Sequence, residues 1–339
     1  MLLDENTMAT QNNSPLPDGL EIAGYRIVKK IASGGFSIVY LAYDEDGNAV
    51  AIKEYLPSAL ALRKQGELVS QVSAVNLPVF HIGLKCFFEE GRALASISHP
   101  NVVRVVNFFR ANETVYMVMA YESGRTLQEH ILHRRDKGVK PLMSERFIRN
   151  TFGQVINGLR EVHANKLLHL DLKPANIYLR VCGTPILLDF GAARQTLNAS
   201  APSKLNSMYT PGFAPPELYS KTGDIGPWTD IYGIGASIFA CMAGIPPQPW
   251  DQRKMHDKME AYLEKLEGTF TPEILQVVRT CLKVDPHERQ QSLFELQKSI
   301  LEPISEAPQM RPKTLGAKLR ALFGKLEGKK EGGSTIVAD

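Results

Sequence analysis

Two short motifs constrain this 339-residue chain more than any other feature of its sequence. The first, HLDLKPAN, runs from His169 to Asn176, and the second, DFG, begins thirteen residues later at Asp189. Together they supply carboxylate and amide oxygens, which are ligands that suit Mg²⁺, and the compact positive charge of Lys173. Asp171, inside the first motif, can accept a proton from a hydroxyl group. The pattern predicts a site that can bind a divalent metal ion and an anionic group beside a proton acceptor.

The order of the predicted elements indicates an α+β chain built in two parts. Segments rich in β-branched and aromatic residues predict strands at 25–43, 49–55, 102–109 and 115–121, with one helical pattern at 84–96. Helical patterns dominate after residue 124, and the clearest covers 144–164, where apolar residues recur at spacings of 4, 3, 4 and 3. Strands therefore precede helices, and the boundary is expected near residues 120–124.

Composition excludes several classes of protein. A hydrophobic content of 44% is typical of a globular chain, and a net charge of +3 is too small to indicate nucleic-acid binding. The four cysteines have no CxxC spacing, which excludes the common zinc and redox motifs. The first residues lack the pattern of a secretory signal, and the apolar stretch 231–245 is too short for a membrane span. We expect a cytoplasmic protein with no nucleic-acid partner.

Two further signals precede the motifs. The tetrapeptide VAIK ends at Lys53, and a Ser-Gly-Gly turn lies before it within residues 31–39. In this order the four segments resemble the eukaryotic-type (Hanks-type) serine/threonine protein kinases, and the stretch AIKEYLPS at 51–58 looks more like the bacterial members. The resemblance covers residues 22–301. It implies a bilobal protein kinase fold, with a β-rich N-lobe over 22–120 and a helical C-lobe over 124–301.

The resemblance also implies a reaction. The γ-phosphoryl group of ATP, bound with Mg²⁺ or Mn²⁺, would pass to Ser or Thr hydroxyls of protein substrates, including the chain itself. Asp171 would accept the hydroxyl proton, Lys173 would contact the γ-phosphate, and Thr210 would lie beside the incoming hydroxyl. Asn176 and Asp189 would bind the metal ion.

The same resemblance assigns residues to nucleotide binding and to holding the fold together. Lys53 would contact the α- and β-phosphates and pair with Glu90, or with the neighbouring Glu89, since adjacent helical residues cannot face the same way. Glu217 and Arg289 would form a buried ion pair. The other expected ATP-binding residues are Ile31, Gly34, Val39, Ala51, Met119 and Tyr121. The other expected structural residues are His169, Phe190 and Asp230, the last tying the backbone of the catalytic loop.

Two places depart from the family pattern. The glycine turn reads Ala32, Gly34 and Ser37 where the family has three glycines, and Leu170 stands where most members have arginine. That arginine normally pairs with a phosphorylated residue of the activation loop, which leucine cannot do. Activity is therefore not expected to depend strictly on phosphorylation of this loop. A pseudokinase, meaning a regulatory scaffold that binds ATP without efficient transfer, is the alternative, and a kinase of small molecules is a third possibility.

Three other segments are candidates for partner binding. Residues 1–21 are polar and predict a flexible leader. Residues 57–78 lengthen the connection before Glu90 and form either a docking insert or a surface loop. In the basic amphipathic tail, 302–339, the stretch 311–330 carries seven basic residues and one acidic residue. This stretch contacts an anionic membrane surface peripherally, docks on the kinase or a partner, or stays solvated. An opposing phosphatase is a further expected partner.

Overall fold

The computed structural model describes residues 13–190, 209–220 and 222–301. These residues belong to one compact unit, which ends at Glu302. Strands dominate the first part and helices the second, so the predicted α+β class is confirmed. Residues 1–12 of the predicted leader, residues 191–208 of the predicted activation loop, and the predicted tail 302–339 lie outside the described residues.

The strands of the described residues form three antiparallel sheets. A six-stranded sheet has the order β1-β2-β3-β4-β8-β7, a three-stranded sheet the order β11-β10-β9, and β5 pairs with β6. Their bounds are β1 Glu21–Ile22, β2 Tyr25–Ser33, β3 Ser37–Tyr43, β4 Ala49–Tyr55, β5 Ala61–Leu62, β6 Gln71–Val72, β7 Val105–Ala111, β8 Thr114–Ala120, β9 Gly124–Thr126, β10 Ile177–Arg180 and β11 Pro185–Leu187.

Eight α-helices lie within the described residues. Their bounds are α1 Leu77–Ala95, α2 Leu127–Asp136, α3 Glu145–Ala164, α4 Pro227–Ala243, α5 Trp250–Met255, α6 Met259–Glu264, α7 Pro272–Cys281 and α8 Leu293–Leu301. None of these helices is long and apolar enough to cross a membrane.

Local sequence explains where the main helices begin. Ser144 caps α3 by accepting a hydrogen bond from the backbone N–H of Phe147 at 3.2 Å. Thr126 and Glu129 form a capping box at the start of α2. Helix α4 is buried along almost its whole length, which is the pattern of a helix at the centre of a core. It contacts α3, α7 and α8, so it organises the helical part of the chain.

The segment between β4 and α1 is partly buried against the main sheet. Arg63, only 1% exposed, forms an ion pair with the fully buried Glu54 on β4, with nitrogen–oxygen distances of 2.5 and 2.8 Å. The hydroxyl groups of Tyr40 and Tyr116 donate to the same carboxylate at 2.7 and 2.9 Å. Residues 57–78 are therefore not simply a surface loop, because one of them, Arg63, is buried against the main sheet.

Residues 13–21 do not form the flexible leader that the sequence predicts, because they pack against the N-lobe. Leu16 is 1% exposed, and its backbone N–H donates to the hydroxyl of Tyr40 at 3.1 Å. The N–H of Ser14 donates to the carbonyl of Arg63 at 3.0 Å. The polar composition gave no sign of this packing, because the apolar contacts come from only two residues, Leu16 and Leu20.

Candidate active site

A buried carboxylate holds the backbone of the loop that carries Asp171. Asp230, near the start of α4, accepts hydrogen bonds from the N–H groups of His169 and Leu170 at 2.9 and 2.8 Å. His163 at the end of α3 contacts the same carboxylate at 2.8 Å. Burial alone would raise the pKa of Asp230, but the hydrogen bond and charge of His163 hold that pKa below its usual value. The charged carboxylate therefore positions the loop.

Three side chains meet at the centre of the candidate site. The ammonium of Lys173 lies 3.0 Å from the nearer carboxylate oxygen of Asp171 and donates to the hydroxyl of Thr210 at 2.9 Å. Asp171 is 8% exposed, so this contact takes place largely away from bulk water. A carboxylate, an ammonium and a hydroxyl are thus held together at one point.

The two predicted metal-binding residues lie next to this cluster. Asn176 donates through its amide nitrogen to the carboxylate of Asp171 at 2.8 Å and to the backbone carbonyl of Asp189 at 3.4 Å. These contacts fix the orientation of the amide, whose oxygen is a ligand that suits Mg²⁺. Asn176 and Asp189 offer one amide oxygen and one carboxylate group, a donor set that fits a metal ion taking few ligands from protein. Mg²⁺ usually completes its shell with phosphate and water oxygens.

Lys53 contacts Asp189, a partner that the sequence analysis did not assign to it. Its ammonium forms an ion pair with Asp189 at 2.7 Å and lies 5.5 Å from the centre of the Phe87 ring. This ion pair joins β4 to the residue that begins the DFG motif. Glu90 is the inward-facing member of the predicted pair, at 7% exposed, whereas the Glu89 side chain is 60% exposed and lies 3.8 Å from Lys85.

Strand register places the predicted nucleotide-binding side chains on one face of the main sheet. Val39 pairs with Lys53, and Ala51 pairs with Met119. Residues directly opposite each other, and residues two apart on one strand, point to the same face. These four side chains therefore share the face that carries the lysine. The remaining predicted members, Ile31 and Tyr121, are 42% and 39% exposed.

Backbone hydrogen bonds tie the glycine turn to the residues after β4. The carbonyl of Phe36 accepts from the N–H of Leu56 at 2.8 Å, and that of Gly35 accepts from the N–H of Ser58 at 2.9 Å. A Cβ atom added at Gly34 would meet nothing within 4 Å. Because the described surroundings leave this space clear, a ligand can approach the backbone closely at this point.

Two pairs of predicted structural residues lie in contact. The rings of His169 and Phe190 stack with centroids 4.4 Å apart, and complete burial lowers the pKa of His169. This histidine is therefore neutral at pH 7 and serves packing. Glu217 and Arg289, both buried, lie 2.7 Å apart, and breaking such a pair costs about 3–5 kcal/mol.

Sequence reasoning missed three residues that support the site. Arg180 on β10 forms two hydrogen bonds with the carboxylate of Glu122, at 2.7 and 2.9 Å, and so anchors the segment that joins the two lobes. His163 completes the Asp230 anchor described above. Arg63 has no motif around it. Their partners lie 58, 67 and 9 positions away in the chain, and a single sequence carries no local signal for such pairings.

Comparison with known proteins identifies the family to which the chain belongs. The protein kinase domain family matches residues 25–299. The chain belongs to the protein kinase family. The kinase domain is similar to the solved structure titled "PpkA-294 apo form", with 33% identity and a TM-score of 0.75 over 85% of this chain and 100% of that one. The solved PknI kinase domain of Mycobacterium tuberculosis, at 20% identity and a TM-score of 0.61 over 84% and 98% of the two chains, shares the fold.

Curated relatives of the kinase domain are named as serine/threonine kinases. A probable serine/threonine-protein kinase KIN1 homolog from Enterocytozoon bieneusi is 26% identical over 81% of this chain and 42% of its own length. The carbon catabolite-derepressing protein kinase of Saccharomyces cerevisiae is 29% identical over 69% of this chain and 33% of its own length. The chain thus spans less than half the length of these two relatives. The predicted resemblance and the bilobal kinase fold are confirmed.

Proposed function

We propose that this chain is a serine/threonine protein kinase that transfers the γ-phosphoryl group of ATP to protein hydroxyls, its own included. One observation carries the proposal. The ammonium of Lys173 bridges the carboxylate of Asp171, at 3.0 Å, and the hydroxyl of Thr210, at 2.9 Å. This bridge gathers a proton acceptor and a cation where a substrate hydroxyl and a phosphate group must meet. The names of the relatives support the same class of substrate.

Asp171 is proposed to orient the substrate hydroxyl and to take up its proton. The hydroxyl oxygen forms a bond to the γ-phosphorus, the bond from that phosphorus to the β,γ-bridging oxygen breaks, and ADP leaves. Lys173 stabilises negative charge on the transferred group. Thr210, held by Lys173, limits the positions that the hydroxyl can take, which favours the in-line geometry.

ATP and a divalent ion, Mg²⁺ or Mn²⁺, are the proposed cofactors. The metal ion neutralises phosphate charge when bound, and Asn176 and Asp189 are the residues proposed to hold it. Lys53 is proposed to contact the α- and β-phosphates. Ile31, Gly34, Val39, Ala51, Met119 and Tyr121 are proposed to line the nucleotide site, and Glu90 to pair with Lys53 in the active arrangement. The ammonium of Lys53 has three N–H donors, so it can contact more than one acceptor group.

Activity is proposed not to require a phosphorylated residue that pairs with the catalytic loop. Leu170, 6% exposed, forms a small buried cluster with Tyr209, Ala214 and Leu218. The cluster joins the catalytic loop to residues 209–218 through apolar contacts. These contacts take the place of a charge clamp, because burial of apolar surface stabilises the contact without a modification.

Phosphate transfer from labelled ATP tests the proposed function. The chain is incubated with Mg²⁺ or Mn²⁺, alone and with a generic basic protein, beside Asp171→Asn and Lys53→Ala. We expect label on serine or threonine, and at least a hundredfold less with Asp171→Asn. Circular dichroism checks that both variants remain folded. Folded, ATP-binding protein that transfers no phosphate contradicts the proposal and supports the regulatory scaffold.

The cellular setting is also proposed from the sequence. We place the kinase in the cytoplasm, peripherally bound to anionic membrane through the basic stretch 311–330, with an opposing phosphatase that reverses its products. The net charge of this stretch, with seven basic residues against one acidic residue, supports membrane contact. Sedimentation with anionic and neutral vesicles tests it, and equal recovery with both kinds of vesicle contradicts it.

A further inference from the structure

A cavity of about 280 Å³ adjoins the catalytic cluster on the helical lobe. Lys173 and Thr210, which bridge to Asp171, form part of its wall. The cavity lies just below the size range of small-molecule pockets, roughly 300–1,000 Å³, so it suits one or two amino-acid side chains. Its lining comes from four segments: Gln128, Ile131 and Arg135; Lys173, Pro174 and Ala175; Thr210 and Phe213; Ala240, Gly244, Ile245 and Pro246.

One face of α2 and the end of α4 form part of the cavity wall. Gln128, Ile131 and Arg135 recur at helical spacing on α2, so they share one face of that helix. Helix α4 ends at Ala243, and Gly244 follows it with a φ of 74°. This left-handed position, which favours glycine, turns the chain sharply and brings Ile245 to the rim.

The charges on the lining have one sign. Of the lining residues, only Arg135 and Lys173 are charged, and no Asp or Glu is among them. Lys173 is already engaged with Asp171 and Thr210. Arg135 is exposed at the rim, and its one ion pair among the described residues is a 3.8 Å contact with the exposed Asp136. A basic side chain entering the cavity would therefore meet two cations and no carboxylate.

The interior of the cavity is apolar. Ile131 and Ala240 are 2% and 3% exposed, and Phe213 and Ile245 add further hydrocarbon surface. An apolar side chain placed here gains burial, whereas a charged head group would lose its water without a partner.

We propose that this cavity selects the protein substrate: it takes an apolar side chain close in sequence to the acceptor Ser or Thr, and Arg135 favours an acidic residue beside it. This proposal rests on the proposed kinase activity and names its substrate class. An extended peptide advances about 3.3 Å per residue, so a peptide whose hydroxyl lies at Asp171 reaches the cavity within about four residues. Basic residues at those positions are disfavoured.

Short peptides with one central serine test this selection. Leu, Asp and Arg are scanned through the four positions on each side of the serine. The readouts are kcat/KM for phosphate transfer and, separately, peptide binding measured by fluorescence anisotropy. For the unmodified chain we expect Leu to be favoured over Arg by about tenfold or more at one position, and Asp over Arg at a neighbouring position.

Two charge-changing variants, each with a matched control, locate the selection. Ile245→Glu places a carboxylate at the rim and is expected to raise the preference for Arg at the Leu-selecting position by about tenfold. Met255→Glu makes the same change at a residue that is 91% exposed and outside the lining. Arg135→Glu is expected to reverse the preference for Asp, and Lys137→Glu, on an exposed residue just after α2 and outside the lining, is its control.

The outcomes separate the proposal from the activity on which it rests. No side-chain preference in either readout overturns the cavity assignment, as does a preference of the unmodified chain for Arg. Equal effects of Ile245→Glu and Met255→Glu also overturn it. If no substrate is phosphorylated but anisotropy shows the expected selection and its reversal, the cavity assignment stands and the proposed kinase activity is wrong.

Discussion

Leu170 combines two features that seldom occur together in a large apolar residue. Its backbone has a φ of 60°, in the left-handed region that favours glycine, and its side chain is buried in the cluster with Tyr209, Ala214 and Leu218. A left-handed conformation costs an L-residue about 1–2 kcal/mol. The packing of the side chain and the hydrogen bond of its N–H to Asp230 must therefore exceed this cost.

Substitution of Leu170 is expected to reverse the usual order of alanine and glycine. Leu170→Ala should lower the free energy of unfolding by about 2–5 kcal/mol, because buried methyl groups are lost while the strain remains. Leu170→Gly loses the same packing but relieves the strain, so we expect it to be more stable than Leu170→Ala by about 1 kcal/mol. Urea denaturation of both variants measures the difference.

Leu172 supplies the matched control for this prediction. It is 3% exposed in the same loop, and it is not among the residues with positive φ. Alanine should therefore be more stable than glycine at position 172, by about 0.5–1 kcal/mol. If alanine is also the more stable residue at position 170, the strain assigned to Leu170 is absent.

The residues of the candidate site differed in how far sequence could predict them. Asp171, Lys173 and Asn176 lie within six consecutive positions, so one motif carries their identity and their spacing together. The observed partner of Lys53 could not be read in the same way, because both Glu90 and Asp189 satisfy its charge. Choosing between them requires the relative position of α1 and of the loop after β11, which no local pattern contains.

At the level of elements, the strands and helices with strong periodicity were predicted closely. The strand at 49–55 and the helix at 144–164 match β4 and α3 to within one residue. The connection from β4 to α1 was not predicted, because it has no period and it contains a buried ion pair that joins Arg63 to Glu54. A buried ion pair depends on where two segments meet, and neither residue type indicates burial when read alone.

Removal of Arg63 is expected to destabilise the N-lobe strongly. Arg63→Met leaves Glu54 charged and buried, so the free energy of unfolding should fall by about 3–5 kcal/mol. The double variant Glu54→Gln with Arg63→Met should recover much of this loss, because the amide carries no charge. Its oxygen can accept from one of the two tyrosine hydroxyls, and its NH2 group can donate to the other. Thermal and urea denaturation measure both changes.

An exposed ion pair provides the comparison for Arg63. Arg279 lies 2.7 Å from Glu260, whose side chain is 59% exposed, and Arg279→Met should cost no more than about 1 kcal/mol. Should Arg63→Met cost as little as Arg279→Met, the buried ion pair between Arg63 and Glu54 contributes little to stability.

At the scale of the whole molecule, ion pairs connect the two lobes at the candidate site. Lys53 on β4 contacts Asp189 just after β11, and Glu122, in the segment between the lobes, contacts Arg180 on β10. Asp189 is thus shared between two roles: it pairs with an N-lobe cation and is proposed to bind metal. A ligand that bridges Lys53 and Asp189 through phosphate and metal should therefore hold both lobes and stabilise the entire fold.

Binding of ATP with Mg²⁺ is accordingly expected to raise the unfolding temperature of the kinase. A ligand present at a hundred times its Kd stabilises the folded state by about 2.7 kcal/mol, which corresponds to a shift of about 4–5 °C for a domain of this size. In Asp189→Asn the additional shift on adding Mg²⁺ to ATP should be largely lost, because an amide is a weaker ligand for the ion. Each variant is compared with itself, with and without Mg²⁺, so the loss of the Lys53 ion pair cancels.

The control for this prediction is Asp46→Asn, which changes an exposed loop residue and should keep the full Mg²⁺ effect. An unchanged Mg²⁺ effect in Asp189→Asn would exclude Asp189 as the metal ligand.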